Sequence, residues 1–120
     1  MSEIRPAVDP AALDRMLELV GGDIEFFDEL VDTFLEDAVT QLEAMRLASS
    51  VDAESLVRPA HSMKTNCANM GATALAQLCR DLEGAARAGD LNGATERVAA
   101  AEQEFAAVRT ELLALREARA

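Results

Sequence analysis

Residues 98–115, VAAAEQEFAAVRTELLAL, carry the regular hydrophobic pattern from which the fold can be predicted. Their apolar positions follow one another in alternating steps of three and four residues, at Val98, Ala101, Phe105, Val108, Leu112 and Leu115. This spacing is typical of a helix in a left-handed helical bundle or in a coiled coil. The choice between the two depends on whether the rest of the chain supplies apolar helices to pack against it.

The upstream part of the chain contains four further segments with helical spacing, separated by glycine or serine residues. The five predicted helices lie at about residues 10–20, 23–49, 53–70, 73–88 and 91–118. Side chains suited to cap the first four are Asp9, Asp23, Asp52 and Thr73. Because short loops let the last four helices pack on one another, we predict a single all-α domain over residues 1–120. It is an up-down-up-down antiparallel four-helix bundle preceded by a short N-terminal helix.

The apolar faces of these helices are expected to form the core. They comprise Leu13, Met16, Leu17 and Val20 in the first helix, Phe27, Val31, Phe34, Ala38, Leu42 and Met45 in the second, Leu56, Ala60, Met63, Cys67 and Met70 in the third, and Leu75, Leu78, Leu82 and Ala85 in the fourth. Pro59 lies inside the third helix and predicts either a kink near Val57 or a helix that restarts at Pro59. We expect Cys67 and Cys79 to be reduced thiols in the core.

The charge of the chain excludes several classes of function. With 22 acidic and 11 basic residues the net charge is −11, which argues against binding to nucleic acid or to an anionic membrane surface. No apolar stretch approaches the roughly 18 to 20 residues that span a bilayer, and the first ten residues lack a signal-peptide pattern. We therefore expect a cytoplasmic protein.

The single histidine, His61, is expected to point away from the core. At about 100° per residue, His61 lies about 140° from the centre of the apolar face of its helix. Lys64, Thr65 and Ala68 share its outer face, and no carboxylate lies among them. Residues 58–87 contain four basic and two acidic residues, which gives a net charge of +2. The remaining 90 residues contain seven basic and twenty acidic residues, which gives a net charge of −13. An imidazole beside an ammonium group in such surroundings suits an incoming anion.

The segment around His61 resembles a known signature. Residues 60–71, AHSMKTNCANMG, with Leu75, Leu78, Cys79, Leu82 and Glu83 downstream, are similar to the motif of histidine-containing phosphotransfer (Hpt) domains. The resemblance implies a four-helix bundle that presents an exposed histidine and relays phosphoryl groups between receiver-domain aspartates. It also implies that the partners are receiver domains or a hybrid sensor histidine kinase.

The resemblance assigns roles to individual residues. It implies that His61 is the phosphoacceptor, that Lys64 and Arg87 stabilise the phosphoryl group, and that Glu83 faces the imidazole from the next helix. Thr65 stands where the family usually has glycine, and with Ala68 it forms the face that a receiver approaches closely.

The chemistry of these side chains is consistent with those roles. An imidazole is largely neutral near pH 7, and a carboxylate that accepts the Nδ1 proton leaves the Nε2 lone pair free to act as a nucleophile. We expect the chain to bind no metal or cofactor, the Mg²⁺ that such transfers need being held by the receiver domain. We expect a monomer that catalyses no reaction by itself. The alternative is a helical interaction module with a vestigial phosphorylation site.

Overall fold

The computed structural model describes residues 6–119, so residues 1–5 and 120 of the predicted domain lie outside the described part. The helices are α1 (Pro10–Leu19), α2 (Ile24–Ala48), α3 (Ala53–Asn69), α4 (Thr73–Arg87) and α5 (Ala94–Ala118). Residues 6–119 contain no strand. Helices α2 to α5 form the bundle, each packing against the next, and α5 closes the ring by packing against α2. The predicted all-α fold class is therefore confirmed.

The hydrophobic core lies between α2, α3, α4 and α5. All the predicted core positions of α2 and α3 are buried, and so are those of α5 except Leu115, which is partly exposed. In α1, Leu13 is buried, whereas Met16, Leu17 and Val20 are only half-buried. The steps of three and four in the sequence thus identify the packed faces of the long helices.

The predicted core of α4 is confirmed in part, because Leu75 and Leu82 are buried as expected. Leu78 and Ala85 are half-buried, whereas their neighbours Cys79 and Ala86 are buried together with Glu83. The buried face of α4 is thus centred between Leu75, Cys79, Leu82 and Ala86, with Leu78 and Ala85 at its margin. Glu83 lies on this face, which brings a carboxylate into the interface between α3 and α4.

Three of the four predicted N-caps are confirmed, because Asp9, Asp23 and Asp52 accept backbone hydrogen bonds at the starts of α1, α2 and α3. The prediction for Thr73 is wrong, since Ala72 occupies the cap position and Thr73 is the first residue of α4. The reason lies in the preceding corner: Gly71 has a φ of +78°, and the N–H of Ala72 donates to the carbonyl of Cys67 over 2.8 Å. The chain therefore enters α4 immediately after closing α3.

Two further predictions about helix limits are corrected. Helix α5 begins at Ala94 instead of residue 91, because Gly93 has a φ of +71° and the N–H of Asn92 donates to the Asp90 side chain over 2.8 Å. These interactions form a turn ahead of the helix. Helix α3 runs continuously from Ala53 through Pro59, so the predicted restart at that proline is wrong.

The N-terminal helix covers the end of the bundle where α3 meets α4. The N–H of Asp9 donates to the carbonyl of Gly71 over 2.9 Å. A Cβ atom on Gly71 would lie 2.7 Å from the Cβ of Ala12, so glycine is needed both for its positive φ and for this close approach. At the same end, the guanidinium of Arg119 donates to the carboxylate of Asp14 over 2.7 Å and joins α5 to α1.

The helices within residues 6–119 lack the combination of length and apolar character that crossing a membrane requires.

Candidate functional site

His61 lies in the middle of α3 and faces away from the core, as predicted. Its side chain is 53% exposed, whereas its neighbours Ala60 and Met63 are fully buried. Because α3 is continuous and packed against α2 and α4, it fixes the position of the imidazole. The ring is thus open to a second molecule and held by a rigid element.

Glu83 of α4 contacts this imidazole from the interface between the helices. Its Oε2 atom lies 2.9 Å from Nδ1 of His61, and its side chain is only 7% exposed. Glu83 lies on the buried face of α4, one turn after the buried Cys79, and this position directs it toward α3. The sequence prediction that this carboxylate faces the imidazole is therefore met by the geometry.

Two cations meet the same carboxylate. The Nζ atom of Lys64 lies 2.7 Å from Oε1 of Glu83. The Nε and Nη2 atoms of Arg87 donate to Oε2 over 2.9 and 2.8 Å, in a side chain that is itself mostly exposed. The family resemblance implies that both cations bind phosphate oxygens, and the structure places them on Glu83 beside the imidazole.

The charge state of Glu83 determines which nitrogen of His61 carries the proton. The hydrogen bond from Lys64 lowers the pKa of Glu83 to about 2, with further lowering by Arg87 and His61, against the opposing effect of desolvation. An ionised carboxylate can only accept hydrogen bonds, so Nδ1 of His61 is the donor. In the neutral ring, the lone pair then belongs to Nε2.

The outer surface near His61 has small side chains. Thr65 and Ala68 are both exposed, as the predicted approach face requires. They help to line an open groove of about 450 Å³ between α3 and α4, whose other lining residues are Lys64, Asn69, Thr73, Ala76, Gln77 and Arg80. A partner surface can therefore come close to the imidazole without displacing large side chains.

A contact that was not predicted from the sequence supports the histidine helix from its other side. The Asn66 side-chain amide of α3 donates to the carboxylate of Asp37 in α2 over 3.1 Å, and Gln41 donates to the same carboxylate over 3.4 Å. No signal in the sequence pairs residues 66 and 37, since their contact depends on how α2 and α3 cross.

The two cysteines, the other residues considered for a chemical role, are part of the hydrophobic core. Cys67 and Cys79 are free thiols, fully buried as predicted, and burial raises the pKa of both, that of Cys79 to about 12. Within residues 6–119, no group of three or more His, Cys, Asp or Glu side chains could hold a metal ion.

Comparison with known proteins identifies the family. The sequence model of the Hpt domain matches residues 29–118. The crystal structure of histidine-containing phosphotransfer protein B (HptB) from Pseudomonas aeruginosa PAO1 is similar to this chain, with a TM-score of 0.85 and 34% sequence identity over 95% of this chain and 97% of that chain. No curated protein sequence matches the chain. The family match and the similarity in sequence and fold show that this chain belongs to the Hpt domain family.

Proposed function

We propose that this chain is a phosphorelay intermediate that accepts a phosphoryl group on His61 from an aspartyl phosphate of one receiver domain and passes it to another. The observation that carries the proposal is the His61–Glu83 pair, in which an exposed imidazole is anchored through Nδ1 by a buried carboxylate. In the neutral ring this contact leaves the lone pair on Nε2, the nitrogen that a phosphoryl group would join.

The transfer can be written for the atoms of this site. The Nε2 lone pair attacks the phosphorus of the aspartyl phosphate, an N–P bond forms, and the P–O bond to the aspartate breaks, so that the aspartate leaves as a carboxylate. The proton on Nδ1 stays in place, and the ring becomes positively charged. Glu83 stabilises that charge through its hydrogen bond. Return of the phosphoryl group to a second aspartate reverses these steps.

Lys64 and Arg87 supply the positive charge that the transferred group requires. Negative charge on the equatorial phosphoryl oxygens is stabilised best by cations that are already in position. Both side chains lie against Glu83, next to the imidazole, and each has more donor hydrogens than Glu83 uses. We propose that they contact phosphoryl oxygens while they remain close to Glu83.

The docking surface extends from the imidazole to the N-terminal helix. Phe26 and Leu19 are exposed apolar side chains at the start of α2 and the end of α1. A groove of about 580 Å³ runs from Leu19 to Ala68, on the histidine face. We propose that a receiver domain packs here while its aspartyl phosphate and Mg²⁺ face His61, because a transient complex needs a modest apolar contact.

The proposal is tested by transfer of labelled phosphate. A receiver domain phosphorylated with labelled acetyl phosphate is mixed with the chain in Mg²⁺, alongside His61→Gln, with the fold of both checked by circular dichroism. We expect the wild-type chain to gain acid-labile, base-stable label and the variant to gain none. If the folded wild-type chain binds receivers yet is labelled by none of them, the relay is excluded and the interaction module is supported.

A further inference from the structure

Four of the eleven basic residues of this acidic chain lie along the surface where α3 meets α4, in a stretch with only two acidic residues. We call Arg58, Lys64, Arg80 and Arg87 the basic seam. They lie in a stretch with a net charge of +2 in a chain whose net charge is −11. Lys64 and Arg87 belong to the site already described, because both contact Glu83. Arg58 and Arg80 remain without an assigned role.

The geometry places Arg58 and Arg80 on opposite sides of the imidazole. Arg58 precedes His61 by three residues on α3, and Arg80 precedes Glu83 by three residues on α4, a rise of about 4.5 Å along each helix. Because the two helices are antiparallel and meet at the His61–Glu83 contact, these equal steps lead in opposite directions along the seam. The two guanidinium groups therefore flank the site.

Each of these arginines lines an open groove beside the site. Arg58 shares a groove of about 540 Å³ with Arg87 and Glu54. Arg80 shares the groove of about 450 Å³ described above with Lys64. A partner surface centred on His61 would cover both grooves.

Neither arginine is neutralised by its neighbours. Both are exposed, and neither forms an ion pair or a side-chain hydrogen bond with another residue of the 6–119 stretch. Glu54 lies one turn before Arg58 without pairing with it, and Asp81 next to Arg80 instead accepts a hydrogen bond from Gln77. The two guanidinium groups are thus available to carboxylates on a partner.

On the basis of the proposed function, we propose that Arg58 and Arg80 bind carboxylates that flank the phosphorylated aspartate of the receiver domain, and so determine which receivers this chain accepts. The net charge of the chain repels any acidic partner at long range. The basic seam provides local attraction where the two reacting groups meet. Such complementary charges at the rim of an interface select partners and raise association rates more than they change chemistry.

The test compares two double variants with the same change in net charge. Arg58→Glu with Arg80→Glu removes the outer part of the basic seam. Arg97→Glu with Arg109→Glu changes two exposed arginines of α5, a helix that packs against α2 and α4. The rate of phosphoryl transfer from an acetyl phosphate-labelled receiver domain is measured against receiver concentration at low and high NaCl. Circular dichroism confirms that all variants fold.

We expect the seam variant to lose about tenfold in kcat/KM at low salt, with its maximal rate retained and the loss reduced by salt, whereas the α5 variant stays close to wild type. Replacing with lysine a receiver carboxylate that flanks the phosphorylated aspartate but does not bind Mg²⁺ is expected to restore transfer to the seam variant. Equal effects of the two double variants, or a loss confined to the maximal rate, would overturn the inference while the labelling of His61 stands. If the wild-type chain is never labelled, the proposed function itself fails and this inference fails with it.

Discussion

The Nδ1 atom of His61 lies 2.9 Å from Oε2 of Glu83, so a half-exposed ring is held by a nearly buried carboxylate. The two residues are 22 positions apart, and only the packing of α3 on α4 brings them together. This contact fixes both the orientation of the imidazole and the nitrogen that carries its proton. The reactivity proposed for His61 therefore depends on a residue in a different helix.

The contribution of this contact can be separated into charge and hydrogen bonding. Glu83→Gln keeps an oxygen that accepts from Nδ1, so we expect it to retain the proton on Nδ1 and to transfer phosphate at an intermediate rate. Glu83→Ala is expected to give a mixture of the two tautomers and a transfer rate about tenfold lower. Nitrogen-15 NMR of the imidazole reports the tautomer directly. An unchanged tautomer in Glu83→Ala, judged against Glu102→Ala on α5, would contradict this role.

Loss of the Lys64 side chain is expected to lower the rate of phosphoryl transfer much more than it lowers the stability of the fold. In Lys64→Ala the phosphoryl oxygens lose one fixed cation, and we expect transfer to slow by about tenfold to a hundredfold. The free energy of unfolding should fall by only about 1 kcal/mol, because the Lys64 side chain is partly exposed. Single-turnover transfer kinetics and urea unfolding measure the two effects. A transfer rate equal to that of Arg109→Ala, an exposed α5 control, would remove the proposed role of Lys64.

The depressed pKa of Glu83 predicts how stability changes in acid. Hydrogen bonds from Lys64, Arg87 and His61 lower its pKa from 4.5 to about 2, so these contacts favour the folded state fully above pH 4.5. That contribution is lost as the pH falls from 4.5 toward 2 and the carboxylate becomes protonated. Glu83→Gln should therefore be less stable than wild type at neutral pH, with the difference narrowing across this window.

Urea unfolding of both proteins at a series of pH values provides the measurement. A constant difference between wild type and Glu83→Gln throughout the acid range would show that the pKa of Glu83 is not lowered by folding.

Two glycine-to-alanine substitutions, at Gly71 and Gly84, form a matched pair that tests the account of the fold. Gly71→Ala forces a side chain into a positive φ and against the Cβ of Ala12, so we expect a loss of about 2 to 4 kcal/mol in the free energy of unfolding. Gly84 lies within α4, where an added Cβ meets no atom within 4 Å. Gly84→Ala is therefore expected to gain about 0.5 to 1 kcal/mol. Thermal or urea unfolding would contradict the account of the α3–α4 corner if Gly71→Ala were as stable as wild type.

The approach face can be blocked without touching the reacting groups. Ala68→Trp places a large ring on the exposed surface two turns after His61, where the proposed partner surface must come close. We expect kcat/KM for transfer to fall by about tenfold with the fold unchanged. Ala99→Trp, at an exposed position of α5, is the control and should match wild type. Undiminished transfer in Ala68→Trp would place the docking surface elsewhere.

Hydrophobic periodicity was sufficient to predict most of the fold, and its partial failure in α4 has a physical reason. Phe34 and Leu112 were assigned correctly because each belongs to a regular apolar pattern, and leaving a whole apolar face in water is costly. In α4, helical spacing also assigned Leu78 and Ala85 to the core, but both lie at the margin of the buried face and are only half-buried. Helix propensity also could not show that α4 starts directly after a tight corner. Because of this corner, Ala72 is the N-cap and Thr73 is the first residue of α4.

The candidate site was predictable where it depends on one helix and less so where it depends on two. The outward position of His61 follows from helical geometry alone, and the family resemblance indicated that Glu83 faces it. That Lys64 and Arg87 both contact Glu83 follows from the distance and rotation between α3 and α4, which no local pattern encodes. The same reason explains why the contact between Asn66 and Asp37 was missed.

The central claim is that the Nε2 atom of His61 receives the phosphoryl group while Nδ1 stays bonded to Glu83. The most direct test is nitrogen-15 and phosphorus-31 NMR of the uniformly nitrogen-labelled chain after transfer from a phosphorylated receiver domain. We predict coupling of phosphorus to Nε2 of His61, with the Nδ1 proton still present. Phosphorus bonded to Nδ1, or to any residue other than His61, would contradict the account.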